Sequence, residues 1–138
     1  MIPALSQLCS LNSPFERDVQ DYAAGGCHAI EVWLTKLETW LKDHSLEDVR
    51  RVMDQRGVSV AVASLQGGLL TSQGSARREH WDHFRRRLQL CQDLQIETLV
   101  VAADITGPVS GQGMDRCRTS LREAAATPTT GERSMPPS

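Results

Sequence analysis

The stretch GGCHAIEVWL, residues 25–34, decides the fold class of this chain. Its two glycines end a helical segment, and the apolar run 29–34 that follows has the length and composition of a buried β-strand. Three further short apolar runs share this character: 4–9, 59–64 and 98–103. The last of them is apolar without alternation, as expected for a parallel strand that is covered on both faces. The sequence therefore predicts four strands of a parallel sheet.

Segments with helical periodicity separate and follow these runs. Their expected starts, in chain order, are Ser13, Ser45, a point near Ser75 and a point near Met114. The first two serines have the positions of N-caps, and Pro14 fits the first position of a helix that ends at Gly25-Gly26. Gly57 stands where a left-handed C-terminal cap ends the second helix. Strand followed by helix, four times, predicts an α/β fold.

Two α/β architectures fit this order of elements. One is an open doubly wound sheet of about five strands, and the other is part of a (β/α)8 barrel. A complete barrel needs about 250 residues, so a chain of 138 residues holds only half of one. Residues 127–138 are rich in Thr, Pro and Ser, and we predict a disordered tail there. That tail is either an ordinary flexible terminus or the sign of a chain that is truncated or read out of frame after Ala126.

Composition and charge exclude several function classes. A net charge of −2 and 4% aromatic residues do not suit a nucleic-acid-binding protein, because that affinity rests first on an excess of Lys and Arg. The four cysteines form no C-x-x-C pair, so neither a zinc ribbon nor a redox motif is present. No apolar run approaches the roughly 18–20 residues of a membrane span, and the N-terminus lacks the features of a signal peptide. We expect a cytoplasmic protein with no nucleic-acid or membrane partner.

The chemistry of a parallel α/β fold lies at the carboxyl ends of its strands. In this chain those ends are 10–12, 33–36, 65–68 and 104–107. Glu31 lies inside the second strand, where its charge is costly unless it points into a polar cavity or pairs with a Lys or Arg. The first βα turn contains no glycine, which excludes the dinucleotide-binding fingerprint.

The segment EHWDH, residues 79–83, is the most suggestive metal motif, because two histidines three residues apart on a helix can share a ligand. His80 borders the expected buried stripe, whereas His83 is expected to face solvent among arginines, a surrounding that disfavours a divalent ion. The arginines concerned are Arg77, Arg78, Arg86 and Arg87. They alternate with acidic residues, so we interpret them as a solvated helix face. No metal site is assigned.

Four motifs occur in order along the predicted strands: SLNSPF (10–15), GGCHAIEVWL (25–34), VASLQGGLL (62–70) and TLVVAADI (98–105). Over about residues 4–126 they resemble the sugar phosphate isomerase/epimerase group of xylose-isomerase-like barrels. The resemblance implies the N-terminal half of a (β/α)8 TIM barrel over residues 1–126. It also implies an enzyme that moves a proton or hydride next to a metal-polarised carbonyl, with Mn²⁺ or Mg²⁺ held by full-length members.

The resemblance further implies which side chains face a sugar or sugar phosphate: Glu31, Trp33, Lys36, Ser64, Gln66 and Asp104. Trp33 suits an apolar wall, and Gln66 suits a sugar hydroxyl. The metal ligands and catalytic carboxylates of the family come from the fifth to eighth strands, so no catalytic or metal residue is assigned in this chain. The nuclease branch of the superfamily has histidines where this chain has Gln66 and Asp104, which disfavours DNA repair.

The leading hypothesis is therefore the N-terminal half of a metal-dependent sugar isomerase or epimerase that is inactive by itself. The alternative is a non-catalytic α/β half-barrel module that pairs with a second half or with itself. In such a module the first and fourth strands are unpaired edges beside an exposed apolar interior, and both features favour self-association. This alternative predicts a homo-oligomer.

Overall fold

The computed structural model describes residues 1–128, and within them strands and helices alternate. The strands are β1 (Leu5–Ser6), β2 (Ala29–Trp33), β3 (Ser59–Gln66) and β4 (Leu99–Val101). The α-helices are α1 (Phe15–Ala24), α2 (Leu34–Trp40), α3 (Leu46–Arg56), α4 (Gly74–Asp93) and α5 (Gly111–Ala126). A 3-10 turn, Gln7–Ser10, follows β1 directly. Residues 129–138 of the predicted tail lie outside the described residues.

The four strands are parallel and form one sheet in the order β1-β2-β3-β4. Each crossover therefore leads to the next strand on the same side. In a doubly wound sheet, by contrast, successive strands are first added toward one edge and then, after a switch point, toward the other edge, as in the strand order 3-2-1-4-5-6. The described residues thus have the arrangement of half of a (β/α)8 barrel, and the predicted fold class is confirmed. In this part of the chain no helix combines the length and the apolar character that a membrane crossing requires.

Two clusters of buried apolar side chains hold the helices on the sheet. The larger cluster joins α1, α2 and α3 to one face of the sheet, where Ile30, Val32 and Ala63 are fully buried. The second cluster joins α4 to α5 and includes Trp81 and Phe84, whose ring centroids lie 5.7 Å apart. Alternate residues of a strand point to opposite faces. Glu31 lies between Ile30 and Val32, and Trp33 follows Val32. The side chains of Glu31 and Trp33 therefore point away from the helices, toward the inner side of the half-barrel.

Helix α3 has the boundaries that the sequence predicted. The Ser45 hydroxyl accepts a hydrogen bond from the backbone N–H of Asp48, and the Asp48 carboxylate accepts one from the backbone N–H of Ser45. That backbone bond, together with the Ser45 hydroxyl, lowers the pKa of Asp48 to about 2. Gly57 ends the helix with a φ of +61°, in the left-handed region. Both predicted boundaries are confirmed.

The first strand and two helices differ from the prediction. The predicted strand 4–9 is shortened to two residues, because the chain enters a 3-10 turn that is capped by the Ser6 hydroxyl. The N-cap of α1 is Pro14, which provides no side-chain cap, and not Ser13. Helix α2 begins directly after β2, where the sequence indicated only a strand end. Its N-cap is Trp33, whose side chain makes no capping bond, so no local signal marks this helix.

Candidate functional site

A cavity of about 490 Å³ opens at the carboxyl ends of β1 and β2. Its walls come from the loop 11–15 after β1, from Trp33 at the end of β2, from α2, and from Asp43 and His44 beyond α2. Parallel α/β folds bind their ligands at this end of the strands, in concave sites of this size. The cavity is therefore the candidate functional site.

Aromatic rings form one side of the cavity. Trp40 stacks on His44 with ring centroids 3.8 Å apart and planes that differ by 2°. It also meets the ring of Phe15 at a centroid distance of 5.3 Å. Nδ1 of His44 lies 2.9 Å from the carbonyl oxygen of Trp40, which fixes the imidazole in this stack. Trp33 is half-buried in the same lining, so the cavity offers flat apolar surfaces to a ligand.

Beneath the cavity, Lys36 makes a buried ion pair with Asp18. Nζ of Lys36 lies 2.5 Å from Oδ2 of Asp18, and their side chains are 5% and 2% exposed. Nζ also donates to the carbonyl oxygens of Ser10 at 2.7 Å and Gln7 at 3.3 Å. The three protons of the ammonium group therefore all have acceptors. A buried pair is tolerated when its remaining protons and lone pairs are hydrogen-bonded, and this pair meets that condition.

Gln7 connects the ion pair to Trp33. Its Nε2 donates to Oδ2 of Asp18 at 3.1 Å, and its Oε1 accepts the backbone N–H of Trp33 at 3.1 Å. Ser10 extends the network to Tyr22 through a hydrogen bond between the two hydroxyl groups. Burial raises the pKa of Tyr22, and the bond with Ser10 opposes this only in part. The end of β1 is thereby fixed to the end of β2 and to α1.

A second polar group of residues joins the ends of β3 and β4. Oδ2 of Asp104 accepts a hydrogen bond from the backbone N–H of Gly68, and a Cβ on Gly67 would lie 2.9 Å from Oδ1 of the same carboxylate. Ser64 and Gln66 are fully buried, and among the described residues the Ser64 hydroxyl and Gln66 Oε1 have no hydrogen-bond partner. Buried polar atoms of this kind are rare in folded proteins. The end of β3 is therefore an unusually polar part of the interior.

Arg87 contradicts the interpretation of the α4 arginines as a solvated face. Its side chain is 4% exposed, and its guanidinium donates to both carboxylate oxygens of Glu38 at 2.8 Å. It also donates to the carbonyl oxygen of Leu65 and to the hydroxyl of Thr35, each at 3.0 Å. His83, which was expected to face solvent, lies 2.8 Å from the same Glu38 carboxylate. Burial would raise the pKa of Glu38, but the hydrogen bonds from Arg87 and His83 lower it below its usual value.

Arg77 also makes specific contacts instead of facing water. It donates to the Ser120 hydroxyl at 3.0 Å and pairs with Glu123 at 2.8 Å, which ties α4 to α5. Its guanidinium carbon lies 5.0 Å from the centroid of the Trp81 ring. Arg78 and Arg86 are exposed, as the sequence predicted. Of the four arginines considered on α4, Arg77 and Arg87 therefore hold neighbouring elements together, whereas Arg78 and Arg86 are solvated.

The structure divides the predicted substrate-facing residues into two groups. Trp33 and Lys36 line the cavity. The others at strand ends lie along β3 and after β4, outside the cavity lining: Ser64, Gln66 and Asp104. Glu31 is half-buried on β2, and its carboxylate makes no hydrogen bond or ion pair with another described side chain, so the Lys or Arg partner considered for it is not found there. The assignment of these residues to a substrate stays a prediction.

Comparison with known proteins places the chain in a family. A sequence model described as "Xylose isomerase-like TIM barrel" matches residues 19–129. The chain belongs to this family. No curated protein sequence matches the chain. Membership agrees with the parallel β1-β2-β3-β4 sheet and with the cavity at its carboxyl end.

Several solved structures share the fold of this chain. The IOLI protein with a zinc atom aligns with 91% of this chain at a TM-score of 0.78 and 19% identity. The probable 3-DHS dehydratase AsbF from Bacillus anthracis aligns with 90% at 0.74 and 14%, and D-psicose 3-epimerase with D-tagatose from Clostridium cellulolyticum H10 aligns with 91% at 0.67 and 15%. The chain spans 46%, 47% and 47% of their lengths, about half of each. At these identities the likeness shows the fold.

The described residues of this xylose isomerase-like chain do not fit a divalent metal ion. A structural neighbour holds zinc, and the sequence resemblance implies Mn²⁺ or Mg²⁺. Within residues 1–128, however, no three His, Cys, Asp or Glu side chains come together in a way that could hold a metal. Glu31 is on β2 and Asp104 follows β4, two strands away, a separation of roughly 10 Å at the usual strand spacing. No chemical step is therefore assigned to a metal here.

Proposed function

We propose that this chain provides the sugar-binding half of a sugar or sugar phosphate isomerase or epimerase site. The observation that carries the proposal is the position of Trp33 in an aromatic cavity at the carboxyl end of β2, with its backbone held by Gln7. A sugar presents C–H groups that pack on an aromatic face and hydroxyl groups that need polar partners. Two structural neighbours are D-psicose 3-epimerase structures with D-tagatose and with D-fructose, sugars of the proposed kind.

The part that this chain plays in the reaction is binding and orientation. The resemblance assigns to the family a proton or hydride transfer next to a metal-polarised carbonyl. Because the described residues contain no group of metal-binding side chains, we expect the isolated chain to bind sugar without isomerising it. Glu31, half-buried on the inner face of β2, has the right chemistry to accept a hydrogen bond from a sugar hydroxyl. A cytoplasmic site of action is part of the same proposal.

Sugar binding is testable through the three tryptophans, Trp33, Trp40 and Trp81, whose indole N–H groups give separate signals in a ¹H–¹⁵N spectrum. Titration with D-fructose is expected to shift the signals of Trp33 and Trp40, which line the cavity. Trp81 is buried in the cluster between α4 and α5, and its signal serves as the internal control. Trp33→Ala is expected to weaken binding by about fivefold or more, since loss of an aromatic contact residue costs over about 1 kcal/mol.

Trp33→Phe is the matched variant, because it keeps an aromatic face in the cavity and should retain most of the affinity. The proposal fails if no indole signal moves at high sugar concentration, or if Trp81 moves as much as Trp33. It also fails if Trp33→Ala binds D-fructose as tightly as the unchanged chain does.

A second candidate function, association with another half-barrel, is favoured by the positions of the exposed apolar side chains. Among the described residues, exposed large apolar side chains occur on both edge strands, Leu5 on β1 and Val100 on β4, and on α5, the helix that follows β4, at Met114 and Leu121. Helices α1 to α4 carry no large exposed apolar side chain. A two-fold axis along the strands would place β4 of one copy beside β1 of the other, parallel, at both edges. We propose a second copy of the chain as the partner.

Sedimentation velocity tests this pairing. We expect a species of twice the 15.2 kDa chain mass, and we expect Leu121→Asp to shift it toward the monomer by placing a charge in the contact. Gln55→Asp, on the exposed face of α3 away from both edges, is the control and should leave the dimer unchanged. A compact monomer of the unchanged chain would rule out the pairing.

A further inference from the structure

The charge of the cavity lining bears on the kind of sugar that it can take. Among the described lining residues, Lys36 is the one Lys or Arg, and Asp43 is the one carboxylate. The other polar side chains are the hydroxyl and amide groups of Asn12, Ser13, Thr35 and Thr39 and the imidazole of His44, which is stacked on Trp40. A phosphate group carries nearly two negative charges at neutral pH. Whether the cavity accepts it depends first on Lys36.

Lys36 has no proton left for a ligand. Its ammonium group is committed to Asp18 at 2.5 Å, to the Ser10 carbonyl at 2.7 Å and to the Gln7 carbonyl at 3.3 Å. To bind phosphate it would have to give up a buried partner, and the Asp18 carboxylate would then face the phosphate without compensation. The Lys36 ammonium group thus links the end of β1 to Asp18 of α1, and it is not available to bind an anion.

The N-terminus of α1 is the other feature of the lining that could attract an anion. Pro14 and Phe15 belong to the cavity wall, and the first backbone N–H groups of a helix favour negative charge. The first turn of α1, however, already contains two carboxylates, Glu16 and Asp18, and Lys36 compensates only the charge of Asp18. In the lining itself, Asp43 adds a negative charge that no described Lys or Arg pairs with. The local field therefore opposes a phosphate.

Neutral polar groups and aromatic faces remain as the binding elements. Hydroxyl and amide side chains both donate and accept hydrogen bonds, as sugar hydroxyl groups do. The stacked Trp40 and His44 rings and the half-buried Trp33 provide the apolar surface. We infer that this cavity binds the sugar as an uncharged polyhydroxyl ligand and discriminates against its phosphate esters. The inference rests on the proposed function and narrows its substrate class.

Parallel titrations with D-fructose and fructose 6-phosphate test the inference, with the Trp33 indole signal as readout. We expect D-fructose to bind about tenfold more tightly at low ionic strength, and we expect the difference to shrink as salt screens the charges. Asp43→Asn should reduce the preference by removing one repulsive charge from the cavity. Asp54→Asn is the matched control, because it makes the same change on the exposed side of α3 and should leave the preference unchanged.

The outcomes separate this inference from the proposed function. If neither compound shifts the Trp33 signal, the proposed function is wrong and the inference falls with it. If both bind and the phosphate ester binds equally well or better, the sugar-binding function stands and the inference is overturned. A preference for D-fructose that Asp43→Asn leaves intact would also overturn it, since the cause would then not be the charge of the lining.

Discussion

Lys36→Met is expected to lower the free energy of unfolding by about 3–5 kcal/mol, because it leaves the Asp18 carboxylate buried without its cationic partner. The Asp18 side chain is 2% exposed, and after the substitution Nε2 of Gln7, at 3.1 Å, is its remaining side-chain donor. The change also removes the donor to the carbonyl oxygens of Gln7 and Ser10. Urea denaturation followed by circular dichroism measures the loss.

Two further variants show whether the buried charge is the cause. Asp18→Leu added to Lys36→Met should recover a large part of the loss, because both charges then leave the core together. Arg17→Met is the surface control on the same helix. Its partner is Asp21 at 2.8 Å, the two side chains are 64% and 55% exposed, and such a pair contributes about 0–1 kcal/mol. If Lys36→Met lowers the free energy of unfolding no more than Arg17→Met does, the buried Lys36–Asp18 pair beneath the cavity does not stabilise the fold.

The sheet and α3 could be predicted because their signals are local. The apolar runs 29–34 and 59–64 correspond to β2 and β3, and Ser45 and Gly57 bound α3 as expected. A capping box and a left-handed glycine depend on residues within one or two turns of each other. Such patterns are complete in the sequence before any tertiary contact forms.

The position of helix α2 and the buried Lys36–Asp18 pair beneath the cavity depend on residues that are far apart in the chain. The side chains that hold α2 against α4 are Glu38 and Thr35, and their partner Arg87 lies 49 and 52 positions later. Lys36 and Asp18 are 18 positions apart. Charged residues on helices are usually solvated, so the sequence alone suggested a solvated role for Arg87. Only the packed structure shows that this charge is buried.

The candidate site could be predicted in part. The position of Trp33 and Lys36 at the carboxyl end of β2 marked both of them, and both line the cavity. Trp40 and His44 were missed, although their spacing of four residues brings side chains together on a helical turn. That spacing has meaning only where the chain is helical, and no capping residue announces α2. Because α2 was not predicted, the aromatic side of the cavity that Trp40 and His44 form was not predicted either.

Gly68→Ala is expected to destabilise the fold by about 2–5 kcal/mol, through two separate effects. Gly68 has a φ of +79°, and an L-residue in the left-handed region costs about 1–2 kcal/mol. A Cβ at this position would also overlap with the imidazole ring of His80 on α4, an overpacking that costs about 1–3 kcal/mol. Neither the backbone nor the ring moves freely, because the N–H of Gly68 is bonded to Asp104 and His80 lies within the long helix α4.

Gly26→Ala separates the two effects, because Gly26 has nearly the same φ, +83°, and no atom within 4 Å of the added Cβ. This control should cost only the backbone part, about 1–2 kcal/mol. Gly68→Ala made in a His80→Ala chain, compared with His80→Ala alone, should fall to the same value, since the clash is gone. Urea denaturation of the four variants decides the matter. Equal losses for Gly68→Ala and Gly26→Ala would show that His80 does not press on the β3–α4 loop, and that the close approach of α4 to the end of β3 is not a constraint on the site.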